Sequence, residues 1–118
     1  MQVETKLGEQ LSRYLDLCVS EAKVIASNMA NIDTPGFHTR GFNFETEMAK
    51  AFDSLAGGGS YLPQVHEVAG LVSRPDGNNV SIDRESMNLA GAQLKFRTGV
   101  ALLRLENQRI MDAIHADR

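Results

Sequence analysis

Three histidines, one cysteine and two pairs of close-set carboxylates are the residues of this chain whose types suit catalysis or metal binding. His38, His66 and His115 fall in three separate regions, none with a second His or Cys at the short ligand spacing of a zinc site. Each reads as a surface or hydrogen-bonded histidine. Glu45-x-Glu47 and Asp83-x-Glu85 read as negative charge at helix starts, where the backbone dipole favours it. No nucleophile-elbow motif is present, although a Ser-His-Asp set is a spatial arrangement that spacing alone does not decide. Gly57-Gly58-Gly59-Ser60 lacks the following lysine of a phosphate loop and reads as a flexible linker. Arg74-Pro75-Asp76-Gly77-Asn78-Asn79 has the acids and amides of a calcium loop, but the required glycine and terminal glutamate are out of register, so it reads as a turn. Cys18 has no partner for an internal disulfide and occupies an apolar stripe position, as a small buried hydrophobe does. The expectation is a chain that is not an enzyme, with no catalytic residues, no cofactor, no metal site and no small-molecule substrate.

Charge narrows the partners. Across 118 residues, 12 Lys plus Arg stand against 15 Asp plus Glu, a net charge of −3, and no two basic residues are adjacent. Nucleic-acid binding rests on clustered cations, as does adhesion to an acidic membrane surface, and both are disfavoured. The longest aliphatic run, Val100 to Leu103, is four residues, far short of a membrane span. Met1 to Lys6 opens no apolar core of signal-peptide length, so a standard secretory route is not expected, while a dedicated export machine is not excluded.

What must position these residues is mostly helix. From Leu7 to Ile32 apolar side chains fall at Leu7, Leu11, Tyr14, Cys18, Ala22, Ile25, Met29 and Ile32, in steps of three and four that mark one helical face. Leu15, Val19 and Ala26 widen it. The helix must stop between about Asn31 and Thr34, because Thr34 precedes Pro35, and Gly36 suits the third position of a type II turn. Asn28 and Asn31, one turn apart, can bond backbone at the helix end or on a neighbouring chain. Asn43 is a candidate cap for a short helix carrying Phe44, Met48 and Phe52, with Ala51 and Leu55 beside them. Val65–Val68 and Leu71–Ser73 suggest extended chain or a small hairpin. Ser81 caps a last helix with apolar residues at Met87 or Leu89, Ala92, Phe96, Val100, Leu103, Ile110 and Ile114. Leu94, Ala101, Leu105 and Met111 broaden that face, Gly91 and Gly99 are its weak points, and Asn107 either sits in the seam or faces solvent.

The expected fold is mainly α: two long terminal helices pairing as a coiled coil around a short irregular, partly β middle segment. The expected division is 1–34, 35–80 and 81–118, forming one structural unit. The inter-helix packing set is Leu11, Leu15, Cys18, Ile25 and Met29 on one helix and Phe96, Val100, Leu103, Ile110 and Ile114 on the other. The spacing fits a heptad coiled coil and a looser antiparallel packing equally. Two helices alone bury one seam and leave Leu15, Val19, Leu94 and Leu105 wet, and large exposed apolar faces mark association sites. Burial is therefore expected to be completed by other subunits.

The run Ala26-Ser27-Asn28-Met29-Ala30-Asn31-Ile32-Asp33-Thr34-Pro35-Gly36-Phe37 resembles the N-terminal signature of the bacterial flagellar rod and hook axial proteins. Phe42-Asn43-Phe44 and Asp76-Gly77-Asn78-Asn79-Val80 resemble segments of the short proximal-rod members, and a middle of only some 45 residues fits them. The resemblance implies a structural subunit of the flagellar basal body. Such a subunit polymerises through its terminal helices into the hollow rod, and Asn28, Asn31, Thr34, Pro35, Gly36 and Phe37 shape the turn leaving the inner tube. It implies export through the flagellar type III apparatus without a cleaved signal, a periplasmic rod location, and as partners itself, other rod proteins, the basal-body ring and a FliE-like adaptor. His38 and the short glycine-rich middle depart from the family pattern. A different short rod subunit and a soluble helical adaptor are the alternatives.

Overall fold

The computed structural model describes residues 5–57 and 61–116. Helix α1 spans Lys6–Ala30, strand β1 Arg40–Gly41, helix α2 Phe44–Asp53, strand β2 His66–Glu67 and helix α3 Ile82–Ala116, with a 3-10 turn over Ser54–Gly57. At about 1.5 Å per residue α1 is some 37 Å long and α3 some 52 Å. The whole measures 69 × 27 × 19 Å. Mainly α with a small strand pair in the middle, it has the expected fold class.

Each boundary has a local cause. The Thr5 hydroxyl caps α1 by accepting the Gly8 N–H at 3.0 Å. The helix closes at Asn31, whose N–H returns to Ser27 and Asn28 carbonyls. Thr34-Pro35-Gly36-Phe37 then turns, the Phe37 N–H reaching the Thr34 carbonyl at 3.2 Å with Gly36 at φ +75°. Asn43 caps α2 through the Thr46 N–H at 3.0 Å. Ser81 starts α3, its carbonyl accepting Glu85 N–H at 2.9 Å and its hydroxyl Arg84 N–H at 3.3 Å. The glycine linker reading falls largely on residues 58–60, outside the described residues. β2 makes no hairpin with Leu71–Ser73; it pairs antiparallel with β1, Arg40 opposite Glu67 and Gly41 opposite His66.

The two long helices run antiparallel, held at one end by Thr5 and Glu106 and at the other by Asn28 and Glu85. On α1, Leu11, Cys18 and Ile25 are buried and Leu15 and Met29 half-buried. Leu17, outside that set, is also buried, three residues on from Tyr14, whose ring meets Phe44 of α2 edge-on at 5.6 Å.

On α3 the buried line is not the apolar stripe. It is Glu85, Ala92, Gly99 and Glu106, one residue per heptad. Val100, Leu103 and Ile110 are half-buried beside it, while Phe96 and Ile114 remain 40% and 42% exposed. Close approach explains the shift: a Cβ on Gly99 would stand 2.7 Å from Leu15 Cδ2 and 2.9 Å from Tyr14 Cδ1. Gly99 is the contact point of the two helices rather than a weak spot. Asn107 faces solvent.

Candidate functional site

The residues of the Asn28–Phe37 run do not act alone; the loop before α3 closes over them. Asn28, 1% exposed, donates through Nδ2 to the Arg40 carbonyl at 2.8 Å and to Glu85 Oε2 at 3.0 Å. Its Oδ1 accepts the Arg40 N–H at 3.0 Å. One amide thus ties α1 to β1 and to the first turn of α3. Glu85, equally buried, takes a second donor from Arg84 Nη1 at 2.8 Å. Glu85 stands in the first turn of α3, where a helix-start charge was expected, and is in addition an internal acceptor with two donors. A buried carboxylate without them would be strongly disfavoured.

Asn31 is more exposed and works locally, its Nδ2 donating to the Ser27 carbonyl at 2.8 Å and its Oδ1 accepting the Thr34 hydroxyl at 3.1 Å. The turn that follows is gripped from outside. Asn78, fully buried, donates to the Asn31 carbonyl at 2.9 Å and the Thr34 carbonyl at 2.8 Å. Gly36 N–H reaches the Asp76 carbonyl at 2.9 Å, Asn79 N–H the Phe37 carbonyl at 3.3 Å, and Asn79 Oδ1 accepts Thr39 N–H at 2.6 Å. Arg74 completes the ring by donating to the Ile32 and Val80 carbonyls. Pro35 and Gly36 are left on the surface and Phe37 half-buried.

Asn78, Asn79 and Arg74 were readable in the sequence as a turn cluster, but nothing there marked them as the clamp on a turn some forty residues away. The amides already satisfy the ring's backbone groups, so the arrangement shapes chain and leaves no donor set converging on a ligand.

A second polar fastening holds the middle segment. Glu47, also expected as a helix-start charge, is buried and accepts the Tyr61 hydroxyl and, at 3.4 Å, the Gln64 N–H. The tyrosine bond outweighs desolvation and holds the Glu47 carboxyl below its ordinary value. Burial, then the Glu47 contact, pushes Tyr61 up to about 12. Glu106 is lowered in the same direction, chiefly by Arg109 and then by Thr5. Burial raises the Cys18 thiol, so it is a packed side chain rather than a ready nucleophile.

The histidines stay apart. His38 Nδ1 lies 3.2 Å from Glu67 Oε2 on the surface, His66 Nδ1 lies 3.1 Å from the Glu67 carbonyl, and His115 is exposed near the end of α3. Among the described residues no cluster of His, Cys, Asp and Glu has the makings of a metal site, and no helix is long and apolar enough to cross a membrane. A cleft of about 530 Å³ between α1, α3 and the strand pair has Ile25, Phe42, Val68 and Met87 on its walls. Its carboxylates are already engaged, Glu85 with Arg84 and Glu21 with Lys95 at 3.3 Å, and Lys95 also lies 4.1 Å over the Phe44 ring.

Residues 20–38, which hold Asn28 and the turn, match the family model described as flagella basal body rod protein. The chain is 31% identical to the flagellar basal body rod protein FlgB of Yersinia enterocolitica, over 75% of this chain and 79% of that one. It is 33% identical to FlgB of Borrelia hermsii, over 71% and 77%. With FlgB of Salmonella typhimurium it shares 29% identity over 85% and 86%.

Proposed function

The chain belongs to the FlgB family of flagellar basal body rod proteins, and from that membership we propose that it polymerises through α1 and α3 into the proximal part of the hollow rod. Its role is structural and not enzymatic, in the flagellar basal body, among other basal-body proteins. The observation that carries the polymer reading is the helix pair itself. Val19 on α1 and Leu94, Phe96, Leu102 and Leu105 on α3 each leave 40% or more of their surface in water. Exposed apolar area of that extent, on helices only partly covered by the middle segment, is what neighbouring subunits bury.

The signature residues have distinct parts in this reading. Asn28 fixes the crossing of α1, β1 and α3, while Asn31, Thr34, Pro35, Gly36 and Phe37 present a rigid turn at the subunit surface. Leu11, Leu15, Cys18, Ile25 and Met29 form the α1 side of the antiparallel helix pair and Val100, Leu103 and Ile110 part of the α3 side toward the start of α1, and Phe96 and Ile114 are finished by neighbours. The terminal helices and the middle segment behave as one structural unit. Export through the type III apparatus without a cleaved signal, assembly in the periplasm and contact with a FliE-like adaptor and the basal-body ring belong to the same proposal. Relatives named FlgB favour this reading over a FlgC-like subunit or a free adaptor.

The test is removal and resupply. Deleting the chain's gene should abolish swimming and rod formation, and resupplying the full chain should restore both. A strain that builds rods without it would overturn the proposal.

A further inference from the structure

Lys95 inverts the usual order of burial on α3. Its apolar neighbours Leu94 and Phe96 are exposed while the lysine between them is half-buried, although lysine ordinarily keeps to water. Two contacts draw it in. The ammonium lies 3.3 Å from Glu21 Oε1 of α1 and 4.1 Å from the centre of the Phe44 ring of α2. One side chain therefore touches all three helices.

Phe44 is the first residue of α2, so whatever holds its ring holds that helix by its end. Tyr14 meets the ring edge-on at 5.6 Å, and Phe42 lies nearly parallel to it at 6.5 Å, the planes 21° apart. α2 otherwise rests on α1. A helix that rests on one neighbour along one line can still pivot about it, and a tie to the second neighbour removes that freedom. The ring face is the negative side of the aromatic quadrupole, which attracts an ammonium more strongly as water is excluded. Glu21 balances the charge, so the lysine is drawn in without being left uncompensated. The Glu47–Tyr61 bond does not share this task, because it fastens α2 to the segment that follows and not to α3.

We propose that Lys95 is the positioning residue of the middle segment. Its ammonium, over Phe44, sets where α2 stands on the helix pair. It thereby sets the mixed-charge face of Glu45, Thr46, Ala49, Lys50 and Asp53, all exposed, that the subunit presents to its surroundings. This rests on the rod-subunit reading, in which that face meets a neighbouring basal-body protein.

Hydrogen exchange of the full-length chain tests it, with residues 44–53 read against residues 18–28 of α1. Lys95→Met keeps the stem and removes the charge. It should raise exchange over 44–53 about three- to tenfold, as a partly desolvated cation–π contact implies, and leave 18–28 at the wild-type rate. Lys95→Arg, which keeps a cation over the ring, should hold 44–53 at the wild-type rate. Glu21→Gln, which removes only the ion pair, should change it by about twofold or less. Wild-type exchange over 44–53 in Lys95→Met, a rise shared equally by 18–28, or a Glu21→Gln effect as large as that of Lys95→Met would each overturn the assignment. In the resupplied strain Lys95→Met should swim poorly and Lys95→Arg normally. Full swimming with α2 loosened would overturn the link to a neighbour alone, whereas a strain that swims without the chain defeats the rod reading itself.

Discussion

Asn28→Ala removes the amide that joins three elements, and the structure sets the size of the loss. The substitution strips a partner from the Arg40 N–H, from the Arg40 carbonyl and from the accepting Oε2 of Glu85. Each buried polar group left unpaired costs about 1–3 kcal/mol, and shared neighbours make the three less than additive, so about 3–5 kcal/mol is expected. That is a large share of the roughly 5–15 kcal/mol that holds a typical domain together. Asn28→Asp should be at least as damaging, because it sets a second carboxylate against Glu85. Adding Glu85→Gln should then recover about 1–2 kcal/mol by supplying a donor. Asn31→Ala is the control, since its bonds are exposed and about 1 kcal/mol or less is at stake. Urea unfolding of the purified variants, followed by circular dichroism, measures all four. If Asn28→Ala costs no more than Asn31→Ala, the polar ring does not hold the helices together and the reasoning fails.

Gly99→Ala should lose about 1–3 kcal/mol in the same assay, because its methyl meets Leu15 and Tyr14 across the helix pair. Gly91→Ala, with open space at its Cβ, should gain about 0.5–1 kcal/mol from helix propensity. Gly36→Ala forces a side chain into φ +75° and should cost about 1 kcal/mol or more, read as a lowered urea midpoint. The lowered carboxyls of Glu47 and Glu106 contribute stability that is fully present above their unfolded value of 4.5 and lost as pH falls through the folded values. Tyr61 contributes below 10.0 and loses that contribution as pH rises toward about 12. Urea midpoints across pH should follow both limbs, and Tyr61→Phe should weaken the acid limb by returning Glu47 toward its ordinary value.

The parts of this fold that are local in cause were legible in the residues. Pro35 and Gly36 announce the turn, Asn43 and Ser81 announce helix starts, and the Leu11–Cys18–Ile25 spacing announces the buried face of α1. What escaped was set by contacts between distant segments. Glu47, Glu85 and Glu106 are indistinguishable in sequence from solvated helix charges until Tyr61, Asn28 and Thr5 arrive beside them. Gly99 lowers helix propensity when read along the chain, yet it decides where α1 can approach. That approach rotates the buried line of α3 onto Ala92 and Gly99 and leaves Phe96 at the edge. Likewise β2 finds Arg40–Gly41 rather than its sequence neighbour, because strand pairing is not a local property. Asn28 carried two readings, backbone at the helix end or on a neighbouring chain, and within the chain the fold sends it instead to the Arg40 backbone of β1 and to the Glu85 carboxylate.

Amide hydrogen exchange along residues 100–116 tests most directly whether sister copies complete these helices. The dilute chain should exchange rapidly over that stretch and become protected, segment by segment, in assembled rods. Equal protection in the dilute chain and in the rod would contradict the account.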